Sequence, residues 1–224
     1  MATLAATIER LPEVVRFLAY TGLRWGEMAA LRVQDFDMLR RRVNVSRSVT
    51  EAGKLVWSTP KTGKRRSVVF PASLTEELAA LMVGKTREDL VFTNLTGGVL
   101  RGSNFRPRFF DTAVRAVQEA TAEQRAKERT ENGVATTPEF PTITPHDLRH
   151  TAASLAVSAG ANVKAVQRML GHAKASMTLD VYADLFDDDL DVVAAQLDTA
   201  ITTSKQNSAD PLRTGSITTT KIGP

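Results

Sequence analysis

Residues 144–182 read TPHDLRHTAASLAVSAGANVKAVQRMLGHAKASMTLDVY, and the helix signals in that stretch decide the reading of the fold. Thr144 offers a side-chain cap, Pro145 suits the first helical position, where its missing N–H costs nothing, and Asp147 follows three residues after the cap. The helix they start is expected to run to Ala159 and to end at Gly160. Asn162 caps a second helix, which ends at Gly171, and Ser176 caps a third that carries Tyr182. Helix, glycine turn and helix over 145–170 trace the outline of a helix-turn-helix. His146 and Arg149, three apart, share one helix face with Cβ atoms about 5–6 Å apart. Both lie in a first turn, whose free backbone N–H groups favour an anion. His172 directly follows the glycine that stops the second helix.

Upstream, the apolar period changes twice. From Pro12 to Tyr20, Val14, Val15, Leu18 and Ala19 recur at helical spacing until Thr21-Gly22 stops them, and a short helix is expected from Arg24 to Leu31. Between 41 and 59 the period drops to two. Val43 and Val45 alternate with polar residues, Glu51-Ala52-Gly53 turns the chain, and Leu55-Val56-Trp57 resumes. Lys61-Thr62-Gly63-Lys64 turns it again before Ser67–Phe70, which predicts a three-stranded antiparallel sheet. Ser73 and Glu76 have capping-box spacing for a helix reaching Val83, and residues 103–120 read as a helix interrupted early by Pro107. Residues 121–141 hold seven charges, Gly133 and two prolines, and read as a surface excursion with a short polar helix. After Tyr182 an acidic helix is expected over about 188–199. A disordered tail follows, because 10 of the 26 residues from Thr199 to Pro224 are Ser or Thr and no apolar period survives. The expected class is α+β, mainly α-helical, with a small three-stranded antiparallel sheet near the N-terminal third.

At 224 residues and 24.4 kDa the chain is long enough to bury a core. It has no cysteine, which excludes thiol catalysis, cysteine–zinc sites and disulfide scaffolds. No run approaches the roughly 18–20 apolar residues that span a bilayer, and the amino terminus lacks signal-peptide order. A soluble, cytoplasmic protein with no membrane partner is the expectation. The net charge of +4 is unevenly laid out. Residues 184–198 hold six acids (Asp184, Asp187, Asp188, Asp189, Asp191 and Asp198) and no base, which leaves +10 on the remainder. Residues 38–66 hold nine bases against Glu51 alone. That local excess is the footprint of a polyanion partner, or else a solvated basic face.

Taken singly, the chemistry-bearing residues are ambiguous. Arg24 reads equally as a helix-surface arginine paired with Glu27 at i+3, His146 and Arg149 as a surface histidine and a salt-bridged arginine, and Tyr182 as a packing tyrosine. As a set they carry more. TGLRWGEMAAL (21–31), PKTGKRRSVVF (60–70), TPHDLRHTAAS (144–154) and LGHAKASMTLDVYADL (170–185) occur in that order, and the chain resembles the catalytic domain of a tyrosine recombinase of the phage integrase family. The resemblance covers about residues 8–198. Its most specific part is the spacing of 3, 23 and 10 residues from His146 to Arg149, to His172 and to Tyr182.

The resemblance implies the tyrosine-recombinase catalytic fold and site-specific DNA recombination by cleavage and rejoining through a 3′-phosphotyrosyl intermediate. Arg24 and Arg149 would clamp the scissile phosphate, Tyr182 would attack it, and His146 and His172 would bind it or exchange protons with it. A lysine of the second hairpin, Lys61 or alternatively Lys64, would protonate the departing 5′ oxygen. Glu27 would orient an arginine, and His150, in the LRH run, would support the structure. Arg40, Arg41, Arg42, Arg47, Arg65 and Arg66 are the expected DNA contacts. The implied partners are double-stranded DNA and further copies of the chain, a tetramer on DNA assembled through the 187–199 helix. Residues 1–198 would form the catalytic domain and 199–224 a tail. The family's separate amino-terminal domain would be missing, so that a truncated chain grips DNA weakly and with a steep salt dependence.

The physical logic of the set stands beside the family name. A phosphodiester under attack gains charge on its non-bridging oxygens, and two planar guanidinium forks match them. Tyrosine, with a reference pKa near 10, needs its proton removed or its anion stabilised before it attacks. Keeping the bond energy in a phosphotyrosyl link removes the need for a nucleotide, and arginines and histidines stand where a metal otherwise would; no cofactor is expected. Three other readings share parts of this pattern: a helix-turn-helix DNA-binding regulator, an inactive recombinase fragment, and a type IB topoisomerase.

Overall fold

The computed structural model describes residues 2–59, 65–183, 194–195 and 197–203, which fall in two units, 1–183 and 184–224. The first unit opens with three helices, α1 (Ala2–Thr7), α2 (Pro12–Thr21) and α3 (Trp25–Met28). Five short strands follow: β1 (Phe36–Asp37), β2 (Arg42–Val45), β3 (Ser48–Ala52), β4 (Lys54–Ser58) and β5 (Arg66–Val69). The rest is helical, with α4 (Thr75–Met82), α5 (Gly102–Phe105), α6 (Asp111–Asn132), α7 (Asp147–Ser158), α8 (Val163–Leu170) and α9 (Ser176–Tyr182).

Helix α2 starts on Pro12, buries Val14, Val15, Phe17 and Leu18, and stops where Gly22 turns left-handed at φ 65° and donates its N–H to Leu18. A Cβ at Gly22 would stand 2.8 Å from Leu170 Cδ2 and 3.2 Å from Ala152 Cβ. Glycine is therefore required twice over, for its backbone and for the close approach of α7 and α8. The core beside it is aromatic: Phe17 lies 5.0 Å from Phe92 and 6.0 Å from Phe36, ring centre to ring centre. Burying each such side chain contributes about 1.5–3 kcal/mol.

A three-stranded antiparallel sheet is present, with different membership from that expected. Its order is β1-β2-β5, with Val43 opposite Val68 and Val45 opposite Arg66. Val43, Val45 and Val68 face the core at a spacing of two. The 54–58 segment instead folds back at Gly53, φ 70°, onto 48–52 and forms a ribbon of its own. The edge it was expected to fill is taken by Phe36–Asp37. At the ribbon's tip Glu51 accepts from the Gly102 N–H and the Ser103 hydroxyl, which ties it to the start of α5.

Pro107 interrupts its helix as expected, through a π-helical turn, Arg106–Phe110, between α5 and α6. Beyond it, 121–132 is no excursion but the second half of α6, which ends only at Gly133, φ 77°. Its residues, TAEQRAKERTEN, are mostly strong helix formers (Ala, Glu, Gln, Arg, Lys) without an apolar stripe. Ser73 caps nothing: it lies in the 3-10 turn Ala72–Leu74, and no side chain caps α4. Thr144 does not cap α7: its N–H and hydroxyl both donate to the Asp147 carboxylate, at 2.7 and 2.8 Å, and the helix begins at Asp147, not Pro145, with no side-chain cap. The Asn162 side chain caps α8 by accepting the Ala165 N–H, and Gly160 and Gly171 are left-handed stops. Ser176 opens α9 without a side-chain cap.

In the second unit, residues 194–195 and 197–203 are helical. The helix passes the expected end at 199, and its threonine hydroxyls bond back one turn within it: Thr199 to Ala195, Thr202 to Asp198 and Thr203 to Thr199. The acidic stretch 184–191 and the tail from 204 lie outside the described residues. Among the described residues no helix is long and apolar enough to cross a membrane.

Candidate active site

Arg24 sits at the start of α3 in extended conformation, which lets its backbone N–H and its guanidinium both donate to Glu27, at 2.9 and 3.1 Å. Glu27 is only 1% exposed. Its other partner is Arg66 on β5, whose two terminal nitrogens fork onto the carboxylate at 2.9 and 2.7 Å. Burial pushes the Glu27 pKa up, but the bonds and charge of Arg66 and Arg24 outweigh it and the net direction is down. Arg66 Nε also donates to the Met169 carbonyl, so β5 is tied to the last turn of α8. The Arg66 side chain is 10% exposed. It was expected to face DNA; its guanidinium is instead taken up within the protein, and it braces Glu27 and α8.

Arg149, 4% exposed, projects from α7 between the same elements. It donates to the Gly22 carbonyl and, at 2.6 Å, to the Leu170 carbonyl. These carbonyls terminate α2 and α8, so one side chain aligns both helix ends. Two of its five N–H donors are used in this way. Burial first, and then the charge of Arg24, bring its pKa down to about 10, at which it stays charged at neutral pH. Three guanidinium groups face one carboxylate here, a net of +2 in a partly dehydrated pocket, and an anion with several acceptor oxygens would relieve it.

His172 follows Gly171, and the turn is pinned by Gln167, whose side chain donates to the His172 carbonyl at 3.1 Å. Its Nδ1 lies 3.0 Å from the Thr178 hydroxyl. Burial, followed by the charges of Arg149, Arg24 and Arg66, lowers its pKa to about 4, so the ring is neutral at pH 7. His146 is lowered too, by burial and then by His150 and Arg149. Tyr182, 5% exposed, lies with its hydroxyl 2.8 Å from His150 Nδ1. Burial raises its pKa against the pull of Arg149. His146, just before α7, and His150, four residues on, meet edge to face at 5.5 Å.

The structure thus gathers Arg24, Glu27, Arg149, His146, His150, His172 and Tyr182 around one basic pocket. A cavity of about 520 Å³ opens beside it, between Arg65, Arg66, Lys164, Arg168 and His172. Arg40, Arg41 and Arg42 stand apart, because Arg42 pairs with Val69 at the end of the sheet away from Arg66. Arg47 turns toward Asp35, at 3.4 Å. Lys61 and Lys64 lie outside the described residues. The sequence reading missed Gln167 and Thr178. Neither is marked in the sequence; Thr178 stands out only in the structure, as a polar residue buried on a helix whose Met177, Leu179 and Val181 are exposed.

The sequence profile described as the phage integrase family matches residues 2–188. The chain belongs to that family. Among curated relatives, the ICEBs1 integrase of Bacillus subtilis (strain 168) is 27% identical over 180 residues, 80% of this chain and 46% of the relative. The chain spans less than half the length of the curated relatives it matches. Among solved structures, the Tn1549 transposon integrase in complex with transposon right end DNA aligns at a TM-score of 0.64 with 20% identity, over 86% of this chain and 64% of that one. The catalytic domain of bacteriophage HP1 integrase aligns at 0.53 with 22% identity, over 87% and 89%. The fold of the first unit is the catalytic-domain fold of these integrases.

Proposed function

We propose that this phage integrase family chain carries out site-specific recombination by cleaving double-stranded DNA with Tyr182 and rejoining it to a new 5′ end. The reading is carried by one observation: Tyr182 bonds to His150 on α7 next to Arg149, in a cluster where three guanidinium groups meet a single buried carboxylate. A phosphodiester supplies the missing anion. Arg149, held by the Gly22 and Leu170 carbonyls, offers its remaining donors to the non-bridging oxygens, and Arg24, oriented by Glu27, offers the second fork. Donors fixed before the reaction pay no reorganisation as charge develops, and losing one costs about 100- to 1000-fold. His172, neutral and held by Thr178, presents its free ring nitrogen as a further donor or acceptor. Attack by Tyr182 Oη leaves a 3′-phosphotyrosyl bond and a free 5′ hydroxyl, and a 5′ hydroxyl from another strand reverses it. Lys61, in the PKTG motif, is the proposed donor to the departing oxygen, with Lys64 as the alternative. Arg40, Arg41, Arg42 and Arg65 are proposed to meet the DNA backbone, and assembly of four copies on DNA through the 187–199 segment completes the reading.

The test uses a pool of nicked duplexes with a randomised centre, in which a short downstream strand diffuses away after cleavage. A denaturing gel is expected to show a protein–DNA adduct with the wild-type chain and none with Tyr182→Phe. DNA binding without any adduct would return the chain to the regulator reading.

A further inference from the structure

We propose that His150 takes the proton from the Tyr182 hydroxyl as the strand is cleaved and returns it as the strand is rejoined; this deepens the DNA-cleaving reading above and rests on it. The motif pattern assigned His150 only a supporting place. The geometry gives it more, because His150 Nδ1 lies 2.8 Å from the attacking oxygen. Among the described residues no other side chain hydrogen-bonds that hydroxyl. With Tyr182 nearly buried, bulk water has little access to the phenol, so the proton needs an acceptor inside the protein.

The two other histidines are placed for other work. His172 Nδ1 is engaged with Thr178, and His146 packs its ring against that of His150 rather than against the hydroxyl. The edge-to-face contact and the Tyr182 bond together orient the His150 imidazole. Arg149, the preceding residue, is fixed by two carbonyls, so one turn of α7 positions a phosphate donor and a proton acceptor at adjacent residues.

The step balances. As Oη–P forms and P–O5′ breaks, the phenolic proton passes to His150 Nδ1, leaving an imidazolium. The 5′ oxygen departs as a hydroxyl by taking a proton from an ammonium or water donor on the leaving-group side. Rejoining runs both transfers backwards: the entering 5′ hydroxyl gives its proton to that donor, and the His150 imidazolium protonates the departing tyrosine oxygen.

The experiment compares wild type, His150→Gln and His150→Ala in single-turnover adduct formation on duplexes enriched from the randomised pool by the wild-type chain. Each duplex is made with an ordinary scissile phosphate and with a 5′-bridging sulfur, whose thiolate leaves without a proton donor. Both variants are expected to lose about 100- to 10,000-fold in rate on both substrates, the range for general acid–base catalysis. Their affinity for the same duplex should stay within about twofold, and added imidazole should restore part of the His150→Ala rate. A His150→Gln rate within about threefold of wild type, or full recovery of the variants on the sulfur substrate, would overturn the proposal. Failure of the wild type itself to form any adduct is a separate result, which removes the DNA-cleaving reading and this proposal with it.

Discussion

Glu27 is the residue on which the charge of the pocket balances. It holds Arg24 through two bonds and Arg66 through a bidentate fork, and it is buried. Replacing it by glutamine keeps the volume but leaves three guanidinium groups without a counter-charge. Breaking a buried pair from one side costs about 3–5 kcal/mol, so Glu27→Gln should lose about that much stability in urea unfolding. A loss below about 0.5 kcal/mol would contradict the assignment of Glu27 as the hub. The Arg24–Glu27 half of this arrangement is legible in the sequence, because residues three apart on a short helix are neighbours. The Arg66 half is not. Its partner is 39 residues away, and pairing depends on how β5 docks against α8. For the same reason a count of bases over 38–66 could not separate the internally paired Arg66 from the exposed Arg65.

At the level of elements, the pocket forms where the ends of α2 and α8 meet the first turn of α7. Gly22 is the joint: its carbonyl accepts from Arg149, its backbone is left-handed, and its missing Cβ admits Leu170 and Ala152. Gly22→Ala should cost at least about 1–2 kcal/mol from backbone strain alone. It should also slow adduct formation more than it weakens DNA binding, because Arg149 loses its alignment while the outer arginines are untouched. Equal effects on both would place the damage elsewhere. The helices that build this joint were readable because their signals are local: Pro12, Asn162, Gly22, Gly160 and Gly171 act within a turn of themselves. The second half of α6 was not. A search for apolar spacing passes over a helix held by polar propensity and by contacts made after it ends. There Glu128 accepts from the Thr136 and Thr137 N–H groups, and Arg125 pairs with Glu139. Strand β1, two residues long, is too short to carry a period at all.

At the scale of the molecule, His146 and His172 sit partly desolvated in a positive field, and the cost should appear in the pH dependence of stability. The pKa of His172 falls from 6.5 to about 4, and that of His146 falls too. The unfolded chain therefore binds more protons than the folded one as pH drops below 6.5, and stability must fall with pH through that window. Between pH 6.5 and 5.5, above the range where the lowered carboxylates Glu27, Glu128 and Asp147 take up protons in the unfolded chain, thermal melts should show this loss. His172→Gln should flatten the slope, and a wild-type slope of zero there would contradict the packing described for His172. The central claim concerns covalent chemistry at one of only two tyrosines, Tyr20 and Tyr182. It is tested most directly by digesting the trapped adduct with protease and nuclease and locating the nucleotide by mass spectrometry. A nucleotide joined through its 3′-phosphate to the peptide containing Tyr182 is the expected result. A nucleotide on Tyr20, one joined through a 5′-phosphate, or no modified peptide at all would contradict it.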